Sequence, residues 1–219
     1  MIGAVLFDLD GTLWENPVRW DELRRELGFP PDGLPLYWHI SGLPKEQKAR
    51  AEARLREKEA EGVRLGQLKP GARELLEFLR TRGVRCVLVT NNSRESAEGV
   101  LGTNPLPFDL VWTRDDGALK PDPQAFLGPL RRLHIAPAAA AVVGDSHLDL
   151  QAAHAAGISV IVLVQPPAWA RPFFPTGARF HEVQDLKEAQ TVLAQHLGKE
   201  KGAPEGTPFE QPGKIRPSP

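Results

Sequence analysis

Residues 1–17 read MIGAVLFDLDGTLWENP, and this stretch decides how the rest of the chain is read. Ile2 to Phe7 is a short apolar run of strand length, consistent with a buried strand. It runs straight into Asp8 and Asp10, set against Gly11 and Thr12. A buried carboxylate is destabilising unless a partner compensates it. The two acids are therefore either a polar turn or one wall of a site that holds a cation.

Outward from this stretch, similar runs recur at Val84 to Val89, Leu110 to Trp112, Ala140 to Val143 and Ser159 to Val164. Helical patterns lie between most of them. Pro70 is placed to open one, with Leu75, Leu76 and Leu79 on its apolar face and Gly83 at its end. Others follow Asn92, with Glu95 three residues on as in a capping box, and run over about 122–133, 146–155 and 185–197. Strands alternating with helices predict an α/β fold, a Rossmann-like parallel sheet with helices on both faces.

The alternation breaks once. Between Leu13 and Lys69 no good strand is expected. Trp20, Leu23 and Leu27 share one helical face, Gly28 ends that helix, and Pro30, Pro31, Gly33 and Pro35 make a loop. Pro44 to about Gly62 reads as a charged helix with the i,i+4 pairs Glu46/Arg50 and Glu52/Arg56 and a thin stripe of Ala49, Ala53, Leu55 and Ala60. A solvated helix is favoured over an interaction surface. The expected organisation is a core of residues 1–13 and 68–197, a small α-helical cap of 14–67 inserted after the first strand, and a disordered tail over 198–219. A cap in that place can act as a lid, with Arg19, Trp38 and His39 as candidates for substrate discrimination.

Composition narrows the function classes. The net charge of −1 gives no broad electrostatic case for nucleic acid or membrane surface. The single cysteine, Cys86, lies in an apolar run and reads as a buried thiol, which points to a cytoplasmic protein. The N-terminus lacks a basic segment ahead of its apolar run, so no signal peptide is expected, and no run approaches a membrane span. The sequon Asn91-Asn92-Ser93 is read as accidental. His134, His147 and His154 form no zinc pattern with Cys86, and no P-loop or dinucleotide glycine pattern occurs.

Ligands of open parallel sheets bind beyond the carboxyl ends of the strands. Those ends carry Asp8 and Asp10, then Thr90-Asn91-Asn92, then Lys120 in the following loop, then Asp145 and Asp149. Asp8 and Asp145 can share one hard cation such as Mg2+, which prefers one or two carboxylates and phosphate oxygens. Thr90 offers a hydroxyl and Lys120 a point charge. That set suits phosphoryl transfer, where positioning and charge stabilisation do most of the work.

The segments FDLDGTL, VLVTNN, LKPDP and VGDSHLDLQAAHAAG, in this order, closely resemble the four motifs of the haloacid dehalogenase superfamily of phosphohydrolases. The inserted segment resembles a short C1-type helical cap, the layout of phosphoglycolate phosphatase-like members. The resemblance implies that Asp8 is the nucleophile and forms an aspartyl-phosphate. Asp10 is then general acid and base, and its backbone carbonyl joins the Asp8 and Asp145 carboxylates on Mg2+. Thr90 and the Asn91 amide hold phosphate, Lys120 stabilises charge, and Asp149 supports the metal shell or Lys120. A small-molecule phosphate ester is the expected partner. A phosphomutase and a catalytically silent scaffold are the alternatives. Asp10 argues against dehalogenation, which uses the first Asp without an acid two residues on.

Overall fold

The computed structural model describes residues 1–197, and the expected tail lies outside the described residues. In chain order the elements are β1 (Ala4–Phe7), β2 (Trp14–Glu15), α1 (Trp20–Glu26), α2 (Leu36–Ser41), α3 (Lys45–Leu65), β3 (Gln67–Leu68), α4 (Ala72–Arg80), β4 (Arg85–Val89), α5 (Arg94–Thr103), β5 (Leu110–Trp112), α6 (Gln124–Arg132), β6 (Ala140–Gly144), α7 (His147–Ala155), β7 (Val160–Val164), β8 (His181–Val183) and α8 (Leu186–His196). Short 3-10 turns cover Pro137–Ala139 and Ala168–Phe173.

The main sheet has six strands in the order β5-β4-β1-β6-β7-β8, every pair parallel. Its strands read as continuous apolar runs because both faces are covered. Val5, Phe7, Cys86, Leu88 and Val143 pack with Leu75, Leu76 and Leu79 of α4 and Leu186 and Leu193 of α8. Ala4, Leu6, Val87 and Val142 face the other way, toward Phe126 and Leu130 of α6 and Leu150 of α7. Each such buried Leu or Phe contributes about 1.5–3 kcal/mol. The chain leaves β1 for neighbours on both sides, β4 and β6, so the end of β1 opens onto the crevice where such sheets bind ligands. Cys86 is buried as expected, and burial pushes its thiol up to about 12.

β2 and β3 pair antiparallel through Trp14–Leu68 and Glu15–Gln67, where no strand was expected; two-residue strands carry no periodicity. α2 and β8 were not foreseen for the same reason. α4 starts at Ala72 behind Gly71, with Pro70 outside it, and α5 is capped by Ser93, not Asn92, its Oγ accepting from Ser96 N at 3.2 Å. The buried line of α3 is Ala51, Leu55, Glu59 and Gly62, while Ala49, Ala53 and Ala60 are exposed. Small alanines all around a charged helix could not define its inner face. Glu52 pairs with Lys48 rather than Arg56. The helix is therefore docked, not simply solvated: Gly99 of α5 meets Val63, and Leu55 joins Leu23 and Ile40 in a separate small cluster among α1, α2 and α3. Trp20 and Leu27 pack against that cluster, as their spacing with Leu23 implies.

Candidate active site

The chain beyond β1 is wound tightly enough to return both acids to one place. Asp8 N still donates to Val143 O at 2.9 Å, so the backbone of Asp8 remains fixed to β6. Leu9 O then accepts from Thr12, Leu13 and Trp14 N, and Gly11 N donates to Trp14 O. Lys69 Nζ ties down Gly11 O at 2.5 Å. Gly11 has φ +82°, and a Cβ there would lie 2.1 Å from Asp145 Oδ2. Glycine is required twice, for the left-handed backbone and for the approach of Asp145.

Asp8, Asp145 and Asp149 present carboxylate oxygens all within 4.8 Å of one another. Lys120, 2% exposed, places Nζ 2.5 Å from Asp8 Oδ1 and 2.7 Å from Asp149 Oδ1. Asp149 also accepts from Ser146 N and Oγ with its other oxygen, closing a capping box on α7. No side chain among the described residues donates to Asp145. Burial pushes the Asp8 carboxyl up to about 7, with Lys120 pulling it down and Asp149 pushing it up. Asp145 is raised well above its ordinary value by burial and then by the charges of Asp8 and Asp149. Burial works against the Lys120 ammonium, yet the two carboxylates beside it leave its pKa raised. Three acids and one lysine leave an excess of negative charge made of hard oxygens, with Asp145 free to accept, and this donor set fits Mg2+.

Asp10 is held by two carboxamides: Asn16 Nδ2 at 3.0 Å on Oδ1 and Asn92 Nδ2 at 2.8 Å on Oδ2. Burial raises its pKa and these two donors lower it. Asn16 is oriented by Val18 N, which donates to its Oδ1 at 3.0 Å. Gly62 of α3 makes room for it, since a Cβ at 62 would lie 2.6 Å from Asn16 Nδ2. Trp14 Nε1 donates to Gly62 O at 3.1 Å, fastening the same turn of α3 to the chain beyond Asp10.

Thr90 directly follows β4, buried, with its hydroxyl oxygen accepting from Asn92 N at 3.2 Å. The hydroxyl proton remains available for an acceptor. The Asn91 side chain does something the sequence did not suggest. Its Nδ2 donates to Lys120 O and its Oδ1 accepts from Lys120 N, each at 2.9 Å, so it clamps the backbone that carries the lysine.

Asn16, Glu59, Ser93 and Arg114 were not foreseen as site-shaping residues. Glu59 is buried and takes a two-pronged ion pair from Arg114, with Nη2 to Oε2 at 3.0 Å and Nη1 to Oε1. Ser93 Oγ donates to Glu59 Oε2 at 2.7 Å. Nothing distinguishes Glu59 among the many charges of its helix. Gly62 was the available signal, because a glycine inside a helix is unfavourable unless something approaches closely. A further contact ties the loop before α2 to α7: His147 Nε2 lies 2.7 Å from Gly33 O, and Phe173 fills the space beside Gly33. Of the proposed discriminating residues, Arg19 is exposed and pairs with Asp21, Trp38 is exposed, and His39 stacks on Phe29 and pairs with Asp32.

The haloacid dehalogenase-like hydrolase family model matches residues 2–157. The chain is 30% identical over 194 residues to phosphoglycolate phosphatase of Pseudomonas putida, covering 77% of this chain and 71% of that protein. It is 29% identical over 179 residues to the phosphorylated carbohydrates phosphatase of Thermotoga maritima, covering 72% and 83% of the two chains. The crystal structure of a hydrolase from Pseudomonas syringae shares the fold, with a TM-score of 0.72 at 21% identity over 90% of this chain and 100% of that one. The chain belongs to the haloacid dehalogenase-like hydrolase family, and its phosphatase-named relatives place it among the phosphoric monoester hydrolases.

Proposed function

We propose that the protein hydrolyses a small-molecule phosphate monoester through an aspartyl-phosphate on Asp8, with Mg2+ held by the Asp8 and Asp145 carboxylates and the Asp10 carbonyl. The observation that carries the reading is the convergence of Asp8, Asp145 and Asp149 around Lys120 at the end of the central strand. Bound Mg2+ would neutralise the clustered acids and the substrate's phosphate oxygens. Asp8, rigid at the strand end, attacks phosphorus, the bond to the leaving oxygen breaks, and Asp10 delivers a proton to that oxygen. Asp10 then takes a proton from water as the water attacks phosphorus, which releases inorganic phosphate and restores the Asp8 carboxylate. Thr90 Oγ and the Asn91 N–H hold the phosphoryl oxygens, and Lys120 balances the charge that builds on them. Asp149 keeps Lys120 in place.

The helices between β2 and β3 serve as the cap in this reading. The phosphatase relatives favour a sugar phosphate or a short phosphorylated acid as substrate, and the single buried thiol of Cys86 fits the cytoplasm as its place. The test is Mg2+-dependent release of phosphate from p-nitrophenyl phosphate, followed by a panel of phosphorylated metabolites. Isomerised product without phosphate release would identify a phosphomutase, and no turnover on any ester would identify a binding scaffold.

A further inference from the structure

The two carboxamides that hold Asp10 come from different parts of the chain, and both are controlled by one face of α3. Asn16 leads from the core into the cap and sits in the notch left by Gly62. Asn92 lies beyond β4 and is fixed by its neighbours: Ser93 Oγ donates to Glu59, and Arg114 N donates to Asn92 O at 3.1 Å. The Arg114 side chain pairs with Glu59 and reaches Asn91 O at 3.4 Å, with its guanidinium 4.8 Å from the centre of the Tyr37 ring. Glu59 and Gly62 are three residues apart, on the same face of the helix.

We infer that Glu59 is a positioning residue: by clasping Ser93 and Arg114 it docks α3 so that Asn16 and Asn92 close together on Asp10, making the acid and base competent only when the cap is seated. The inference rests on the phosphatase reading and adds residues to it. The physical reason is the burial of the pair. A charged pair in a dry interface is stable only when both partners meet, and separating one from the other leaves a buried charge uncompensated, so the docked arrangement is sharply defined. Asp10 makes no hydrogen bond to Glu59 or Arg114; the Glu59 charge reaches it only through space, adding to burial in pushing its carboxyl up, and the positioning itself passes through the carboxamides.

The experiment measures kcat and KM for Mg2+-dependent hydrolysis of p-nitrophenyl phosphate by wild type, Glu59→Gln, Asn16→Ala, the combination of these two, and the double variant Glu59→Met with Arg114→Met. The methionine pair removes both buried charges together and keeps an apolar, folded interface, which its melting temperature verifies. Glu59→Gln and the methionine pair are each expected to lower kcat about tenfold or more with KM within about threefold. Glu59→Gln combined with Asn16→Ala is expected to lose no more than the larger single loss, because both act on the hold of Asp10. A folded methionine pair with wild-type kcat would overturn the inference. So would multiplicative losses in the combined variant, which would make Glu59 independent of Asn16. An inactive wild type overturns the phosphatase reading together with this one, whereas an active wild type with unaffected Glu59 variants overturns this one alone.

Discussion

Lys120 Nζ lies 2.7 Å from Asp149 Oδ1, and the same ammonium touches Asp8 at 2.5 Å. One buried cation therefore serves the acid at the end of β1 and the acid in the first turn of α7. Lys120→Met should lower kcat by about a hundredfold or more, the scale of losing a preorganised charge in a dry site. Asp149→Asn should lower it by a smaller factor, since the amide can still accept from Ser146. Steady-state kinetics on both variants checks the order of the two effects, and a larger loss for Asp149→Asn would make Asp149 more than a support for the lysine.

Asp8→Asn should abolish turnover by about a thousandfold or more, on the order of 4 kcal/mol at the transition state, while the fold persists. The amide has the shape of the carboxylate without the attacking charge. Circular dichroism verifies folding, and turnover within tenfold of wild type by a folded variant would remove Asp8 as nucleophile.

Exhaustive chelation should abolish activity, Mg2+ should restore it, and Ca2+ should inhibit, because its looser and higher coordination misplaces the acids. Asp145→Ala should raise the Mg2+ concentration for half-maximal activity by about tenfold or more. An unchanged Mg2+ titration would take Asp145 out of the metal set.

The raised carboxyl groups make stability depend on pH. Burial holds Asp8 up to about 7, and Asp145 is also raised. A carboxyl whose pKa is higher folded than unfolded stabilises the fold fully below the unfolded value, about 3.9, and loses that contribution as pH rises through the folded value. The melting temperature of metal-free protein should thus fall between about pH 5 and about pH 8. Added Mg2+, which competes with those protons, should raise it more at the higher pH. Thermal melts with chelator and with Mg2+ at the two pH values test this, and equal Mg2+ shifts would contradict it.

Gly11→Ala should destabilise the protein by about 1–2 kcal/mol from the left-handed backbone alone. Its methyl would also displace Asp145, so the Mg2+ requirement should rise. Urea denaturation and a Mg2+ titration measure the two effects separately, and a rise in stability would contradict the geometry.

The sequence by itself determined the layered architecture, because short apolar runs such as Ala140–Val143 alternate with leucines at helical spacing such as Leu75, Leu76 and Leu79, and that alternation builds a parallel sheet covered on both faces. It also determined which polar residues stand at the strand ends, since Asp8 and Thr90 each follow an apolar run directly and Asp145 follows one after a single glycine. Short pieces such as β2 and β8 escaped, being too brief for a period to show. Only the tertiary structure decided the phase of α3, where alanine is too small to mark an inner face and a buried Glu59 looks like any other charge. It alone brought Asn16, Asn92, Glu59 and Arg114 together. The Asn92–Asp10 and Arg114–Glu59 contacts join residues tens of positions apart, Asn16 reaches Asp10 across a turn of six, and their energy comes from burial and hydrogen-bond geometry that exist only once the chain is folded.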